Sequence, residues 1–329
     1  MFPASITSEY EFQKRIGKGA TGNVYLFKNK ISNENIAIKE ILKEDLNQDQ
    51  INNIKKEIQY MSNYSKYENS IKLIKSIEDD NCIYILMEYC EMNLEKYIKN
   101  RMQEKNPLEI NDIKNILIQL NNILEILFRN KIAHRDLKPN NILLKFDNKK
   151  NFIVKLSDYG NIKQITNSIM TQSNFKGTAI FKAPEILKNE KHYDPIKADL
   201  WCIGIIIYYM IKGEYPFNSD ANISSDKKKL QFNINNCDTL NNLFKKLTYY
   251  DPSKRISFND YFNHPFFKLE KNKKYKIIFL GESGCGKTSF LHKLCYNKFN
   301  ENLVTSSGFG YYVKLYINIY IYYIALLLQ

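Results

Sequence analysis

His134-Arg135-Asp136-Leu137-Lys138-Pro139-Asn140-Asn141 sets a carboxylate, a cation two residues on and a carboxamide five residues on within one short run. That is the spacing phosphoryl transfer needs. Asp136 can accept the proton of an incoming hydroxyl, and Asn141 reaches a magnesium ion only if the chain between them doubles back. A charged surface loop could match the same string by accident, so the reading depends on whether the other parts of such a site follow in order.

Upstream, Gly17-Lys18-Gly19-Ala20-Thr21-Gly22-Asn23-Val24 has a glycine pattern that also describes dinucleotide-binding turns. Its flanks separate the two. The alternating stretches Tyr10–Ile16 and Asn23–Phe27 predict two strands joined by a hairpin, where a dinucleotide site would open a helix. Such a hairpin suits a cover over ATP, with glycines that let backbone approach phosphates. Ala37-Ile38-Lys39 follows on a third strand, and Glu57 comes 18 residues after Lys39. Ile51, Ile54, Ile58 and Met61 recur at helical spacing, which puts Glu57 on a helix and within reach of the strand lysine. Downstream, Asp158-Tyr159-Gly160 offers a further metal-binding carboxylate and Ala183-Pro184-Glu185 closes the segment behind it. The run from Asp199 to Met210 predicts a helix apolar nearly all round, and therefore central.

From Tyr10 to about Leu269 these motifs together resemble the eukaryotic protein kinases. The resemblance implies an α+β fold: an extension over 1–9, then a kinase domain over 10–269, with a β-rich lobe to residue 87, a hinge at 88–91 and a helical lobe from 92. It implies ATP against Gly17, Gly19, Gly22, Val24 and Ala37, with Met87, Glu88 and Cys90 along the hinge. Lys39 would hold the α- and β-phosphates, Glu57 would fix Lys39, Asp136 would act as base, and Lys138 would meet the transferring phosphate. Asn141 and Asp158 would hold Mg2+. Arg135, Tyr159, Gly160, Thr178, Glu185, Asp199 and Arg255 take structural or activating roles, Arg255 by pairing with Glu185. Leu73, Met61, Tyr159 and His134 fall where stacked side chains link the lobes.

Lys138 is the choice of serine/threonine kinases, so protein Ser and Thr hydroxyls are the expected acceptors. Tyr159 stands where the family carries Phe, and its hydroxyl needs a partner. A phosphate on Thr171 or Ser173 is expected to pair with Arg135. Asn93 and Asn140 occupy two places where relatives that select upstream arginine carry acids, so strong arginine selection is not expected unless Glu91 or Glu95 substitutes. The stretch Ile256–Phe267 is similar to the end of Unc-51-like kinases.

A second phosphate motif lies beyond. Lys276–Leu280 reads as a strand running into Gly281-Glu282-Ser283-Gly284-Cys285-Gly286-Lys287-Thr288. Backbone N–H groups of such a loop cradle phosphates, with Lys287 neutralising them and Thr288 on magnesium. The segment resembles the start of a Rab/Ras-like small GTPase, which implies GTP there and a partial α/β P-loop unit over 270–329. It departs from that family sharply: the last Asp is Asp260, so no switch II or guanine-reading motif follows. Residues 315–328 form an apolar run shorter than the roughly 20 residues of a membrane helix, and no membrane anchor is expected.

The formal charge of +13 is spread over lysines mixed with Asn, Ile and Tyr. Solvated surface follows from this, and no nucleic-acid partner is expected, because no basic stripe is interleaved with aromatics. Six cysteines without a CxxC pair argue for free thiols and against zinc. With an amino terminus that lacks a secretion signal, a cytoplasmic or nuclear site is expected. Catalysis has two rivals, a pseudokinase scaffold and a kinase controlled by a GTP-binding tail. The joint presence of Lys39, Glu57, Asp136, Asn141 and Asp158 favours catalysis.

Overall fold

The computed structural model describes residues 2–19, 22–44, 46–149, 151–165, 170–171, 179–188, 192–217, 230, 234 and 237–268. Ser173, Thr178, Gly281, Gly286, Lys287 and Thr288 lie outside the described residues, and Thr171 is described in its backbone only. The chain divides into two units, Met1–Phe267 and Lys268–Gln329.

Helix α1 (Ala4–Thr7) precedes five strands: β1 (Tyr10–Lys18), β2 (Asn23–Asn29), β3 (Asn35–Leu42), β4 (Leu73–Glu78) and β5 (Cys82–Glu88). They form one antiparallel sheet in the order β1-β2-β3-β5-β4. Period-2 alternation gives the sheet two apolar faces. Phe27, Ile36, Ile38, Tyr84 and Leu86 line one of them, and Ile6 and Phe2 of the extension cover it. Ile41, Ile83 and Ile85 join the main core on the other.

Helix α2 (Gln48–Tyr64) crosses between β3 and β4. A capping box starts it: the Asn47 side chain accepts from the Gln50 N–H at 2.9 Å while the Gln50 side chain accepts from the Asn47 N–H at 2.9 Å. Ile54 and Met61 bury one stripe, and Glu57 shares that side of the helix.

The second lobe holds β6 (Met92–Asn93), α3 (Leu94–Gln103), α4 (Ile110–Arg129), β7 (Ile132–Ala133), β8 (Ile142–Phe146), β9 (Phe152–Leu156), α5 (Pro184–Leu187) and α6 (Pro195–Lys212). Strands β6, β8 and β9 pair in that order and carry the catalytic run and the Asp158 segment at their ends. Helix α6 begins one turn earlier than the sequence suggests, at Pro195 and not at Asp199. The Asp194 carboxylate accepts from the N–H groups of Ile196 and Lys197, and Pro195 takes the first helical position, where no N–H is needed. Gly213, at φ 70°, stops the helix.

Leu200, Trp201, Ile203 and Ile207 of α6 and Leu120, Leu124 and Leu127 of α4 are fully buried in one continuous core. Each such side chain contributes about 1.5–3 kcal/mol by burial. Gly204 permits the close approach of the helix Asp238–Leu247: a Cβ there would sit 2.6 Å from the Thr248 side chain. Among the described residues, no helix is long and apolar enough to cross a membrane.

Candidate active site

The catalytic run is shaped by what its backbone bonds to. Asp199, on the first turns of α6, is buried and accepts the N–H of His134 at 2.7 Å and of Arg135 at 2.8 Å. These bonds hold Arg135 at φ 66°, a left-handed conformation that a long side chain adopts only under such constraint. Burial pushes the Asp199 carboxyl up to about 7, against the opposing pull of those two N–H groups and of the Arg135 charge.

Asp136 is 7% exposed, and its Oδ2 receives both Lys138 Nζ, at 2.8 Å, and Asn141 Nδ2, at 2.9 Å. Both donors fall on one oxygen. Oδ1 is thereby the oxygen suited to take a proton from an incoming hydroxyl. Asn141 also donates to the Asp136 carbonyl at 2.9 Å, so the chain does double back as the spacing requires. The Asn141 carbonyl in turn accepts from the N–H and hydroxyl of Ser157, both at 2.9 Å, which ties the run to the residue before Asp158.

On the sheet side, Lys39 Nζ lies 3.1 Å from Glu57 Oε1, with both side chains largely buried. A strand lysine and a helix glutamate 18 residues apart are thus joined across the lobe. Ala37 sits opposite Met87 in the β3–β5 register, directly before Glu88 at the hinge.

The glycine hairpin is closed by the Gly19 N–H on the Gly22 carbonyl at 2.7 Å. Gly22 has a reason the sequence did not disclose: a Cβ there would fall 2.0 Å from the Glu40 carbonyl oxygen. At Gly17 and Gly19 a Cβ would meet nothing nearer than 3.5 Å, so packing does not require glycine at those two positions.

Asp158, at φ 62°, ends the β9 segment, and Gly160 lies so near Glu57 that a Cβ would come within 3.1 Å of its carboxylate. Asn141 and Asp158 offer a carboxamide oxygen and a carboxylate. This hard-oxygen pair fits Mg2+, which keeps most of its shell for water and substrate phosphates. Nucleotide-bound magnesium needs no larger protein cage.

Further back, Glu185 and Arg255 are buried together at 2.7 and 3.0 Å. Tyr159 stacks on Tyr64 at 6.2 Å and meets His134 at 5.9 Å. Met61 belongs to the same core, and Leu73 packs against it.

The Protein kinase domain family matches residues 10–267. The chain belongs to this family, and the domain is of the serine/threonine class. Serine/threonine-protein kinase atg1 of Dictyostelium discoideum is 35% identical over 281 residues, which cover 82% of this chain and 40% of that protein. Serine/threonine-protein kinase unc-51 of Caenorhabditis elegans is 32% identical over 275 residues, 78% of this chain and 31% of that one. Serine/threonine-protein kinase 36 of Mus musculus is 30% identical over 264 residues, 78% of this chain and 19% of that one. The chain therefore spans two fifths or less of the length of these relatives. Members of the family use ATP and Mg2+, and the matched span stops before the second phosphate motif.

Around residues that the sequence already singles out, the fold adds partners that motif reading does not show. Glu88, at the hinge, is buried and accepts Lys155 at 2.8 Å and Lys145 at 2.9 Å from β9 and β8. Burial raises its pKa, but the hydrogen bonds from those two lysines prevail and hold the carboxyl below its usual range. Next to it, burial pushes the Cys90 thiol up to about 12, so it stays protonated and contributes to the hinge as an apolar group. Glu95 bonds the Asn140 amide of the catalytic run, Lys99 at 3.0 Å and the Tyr215 hydroxyl at 3.2 Å. Apart from Glu95 and Lys99, which are i,i+4 neighbours on α3, each of these pairs joins elements that only the fold brings together.

Proposed function

We propose that this chain transfers the γ-phosphoryl group of ATP to Ser or Thr hydroxyls of proteins, as a member of the Unc-51/Atg1-like group. The observation that carries the reading is the state of Asp136. Its carboxylate is buried, two donors lie on one oxygen, and the other oxygen is left to receive a hydroxyl proton. Lys39, steadied by Glu57, would hold the α- and β-phosphates, and Gly17, Gly19, Gly22 and Val24 would cover them. Lys138 reaches Asp136 now and would swing to the transferring phosphate when substrate binds. Asn141 and Asp158 would hold magnesium, which supplies charge neutralisation at the phosphates.

The identity to atg1 and unc-51 supports the subgroup, and the Ile256–Phe267 ending agrees with it. A nucleotide role for Gly281, Gly286, Lys287 and Thr288 rests on sequence pattern alone and plays no part in this reading.

The test is transfer of labelled phosphate from Mg-ATP to the protein itself and to a generic Ser/Thr substrate, with Asp158→Asn beside the wild type. Transfer that vanishes in the variant is the expected result. A wild-type protein that binds ATP yet transfers nothing would replace this reading with a nucleotide-binding scaffold.

A further inference from the structure

The phenol of Tyr159 is 1% exposed, and its oxygen lies 2.5 Å from the hydroxyl of Ser70, itself fully buried. The two hydroxyls form one hydrogen bond, in which either oxygen can donate. Ser70 also reaches the Ile71 carbonyl at 3.5 Å, whereas for the Tyr159 phenol the Ser70 hydroxyl is the hydrogen-bond partner that separation would remove.

The position of Ser70 is set by the strand that delivers Asp158. Ile71 N–H donates to the Leu156 carbonyl at 2.9 Å, and Leu156 N–H donates to the Asn69 carbonyl at 2.8 Å. The Asn69 amide donates to the Val154 carbonyl at 2.9 Å, and Asn122 of α4 donates back to Asn69 at 2.9 Å. Ser70 is therefore stapled to β9 on both sides. Two residues beyond Leu156 the chain reaches Asp158, then Tyr159, whose phenol returns to Ser70. The loop is closed covalently on one side and by the hydroxyl pair on the other.

Asp158 and Tyr159 are adjacent and share one backbone turn, with Asp158 held at φ 62°. Tyr159 cannot leave its place between Tyr64 and His134 without turning Asp158 as well. We propose that Ser70 is a positioning residue for phosphoryl transfer: its hydroxyl latches the Tyr159 phenol inside the core and thereby keeps Asp158 turned toward the nucleotide. The proposal rests on the kinase reading for its consequence, but the latch can be measured without turnover.

Removing the latch favours the state in which the Tyr159 ring has left its pocket, by about tenfold for one lost buried hydrogen bond. A ligand that binds only the ring-out state gains affinity by the same factor while that state remains a minority. A diaryl-urea kinase inhibitor, which fills the space the ring vacates, is the probe. An adenine-site inhibitor indifferent to the ring is the control.

Both are titrated calorimetrically against the full chain as wild type, Ser70→Ala, Tyr159→Phe and the double variant, each checked for a native circular dichroism spectrum. Tyr159→Phe removes one oxygen and leaves the ring, so it keeps the test open even if Ser70→Ala perturbs folding. The expected result is that each single variant binds the diaryl-urea about tenfold tighter and the adenine-site control unchanged, while the double variant gains no more than either single. Unchanged diaryl-urea affinity in Tyr159→Phe, or gains that multiply in the double variant, would overturn the proposal. Phosphotransfer is assayed on the same proteins: a wild type that is inactive yet shows the predicted affinity pattern would remove the kinase reading and leave the latch standing.

Discussion

Arg255 sets its guanidinium against both carboxylate oxygens of Glu185, 70 residues earlier, with the two side chains 0% and 1% exposed. The same guanidinium donates to the Tyr249 carbonyl at 3.0 Å and the Lys197 carbonyl at 2.6 Å, and it lies over Trp201 at 5.2 Å. One cation thus joins α5, α6 and the loop before residue 256. The segment that ends at Glu185 is anchored to the core at this point.

Breaking a buried pair on one side leaves the other charge uncompensated, at a cost of about 3–5 kcal/mol. Arg255→Met should lower the urea midpoint accordingly, whereas Arg255→Met combined with Glu185→Leu should recover part of the loss. Equal destabilisation in both proteins would mean that Arg255 matters through its carbonyl contacts and not through Glu185.

Lys39 and Glu57 make a different use of a similar pair. Glu57→Gln keeps the shape and the hydrogen-bond acceptor but removes the charge that steadies Lys39, so phosphate positioning should suffer more than folding. Steady-state kinetics should show kcat/KM for ATP lowered by about tenfold to a hundredfold, corresponding to about 1.5–3 kcal/mol of a charge-assisted hydrogen bond. Lys39→Met should be worse still. A Glu57→Gln enzyme of wild-type kcat/KM would mean that the pair is not used in binding nucleotide.

Burial lowers the pKa of His134, whose ordinary value is 6.5, even though Asp136 and Asp158 pull it upward and Lys138 pulls with burial. The neutral ring fits its surroundings: Nε2 lies 3.2 Å from the Ser157 carbonyl, and Nδ1 faces the Asp136 N–H at 3.4 Å. With the folded value depressed, the unfolded chain takes up the proton first. The stability contributed by neutral His134 is therefore complete above pH 6.5 and is lost as pH falls through the lower folded value. Guanidinium unfolding at pH 7.5, 6.5 and 5.5 should show wild type losing stability toward acid more steeply than His134→Tyr. His264 is also depressed, but it titrates in both proteins and cancels in the comparison.

The parts of the site legible in sequence are those whose spacing is fixed by one local element. The run His134–Asn141 is a single loop, and Lys39 and Glu57 ride on a strand and a helix whose periodicities point the right way. The hydroxyl of Tyr159 announced the need for a partner, yet nothing marked Ser70, because it comes 89 residues earlier and only the β9 staple brings it near. Helix α6 starts four residues before the apolar run that begins at Asp199, because the cap that starts the helix is polar and precedes that run. Glu95 was visible as a substitute for the acids missing at Asn93 and Asn140, but only the fold sets it against Asn140.

That contact bears on substrate choice. Burial works against ionisation of Glu95, but the hydrogen bonds from Lys99, Asn140 and Tyr215 outweigh it and hold the carboxyl below its usual range. Its lysine partner is an exposed i,i+4 neighbour, worth about 0.3–0.5 kcal/mol and easily displaced. A basic side chain upstream of the acceptor could take its place for a small net gain. At a partly exposed site this amounts to about two- to fivefold in kcat/KM. A peptide library should show that modest preference in wild type and none in Glu95→Gln. Dominant arginine selection, or a preference that survives the substitution, would place the reading group elsewhere.

A short antiparallel ladder ties the segment behind Asp158 to the strand that carries Tyr193. Met170 pairs with Tyr193 and Thr171 with His192, antiparallel, so Thr171 stands one step from the residue whose phenol meets Arg135. Tyr193 is buried, which pushes its phenol up, and Arg135 opposes that shift by its charge and a hydrogen bond. A phosphate on this segment carries about −1.5 to −2 charge, a group that the Arg135 guanidinium is suited to pair with. The new pair would order the segment between Asp158 and Glu185 in the active arrangement. Active enzyme should carry phosphate at Thr171, with Ser173 as the alternative acceptor, and phosphatase treatment should lower its rate about tenfold or more, consistent with one to three charge-assisted hydrogen bonds. In Arg135→Ala the treated and untreated enzymes should have the same rate, because the phosphate would have no partner to find. Peptide mapping of fully active protein that finds neither Thr171 nor Ser173 modified would show instead that Tyr193 satisfies Arg135 permanently and that the kinase needs no phosphate to work.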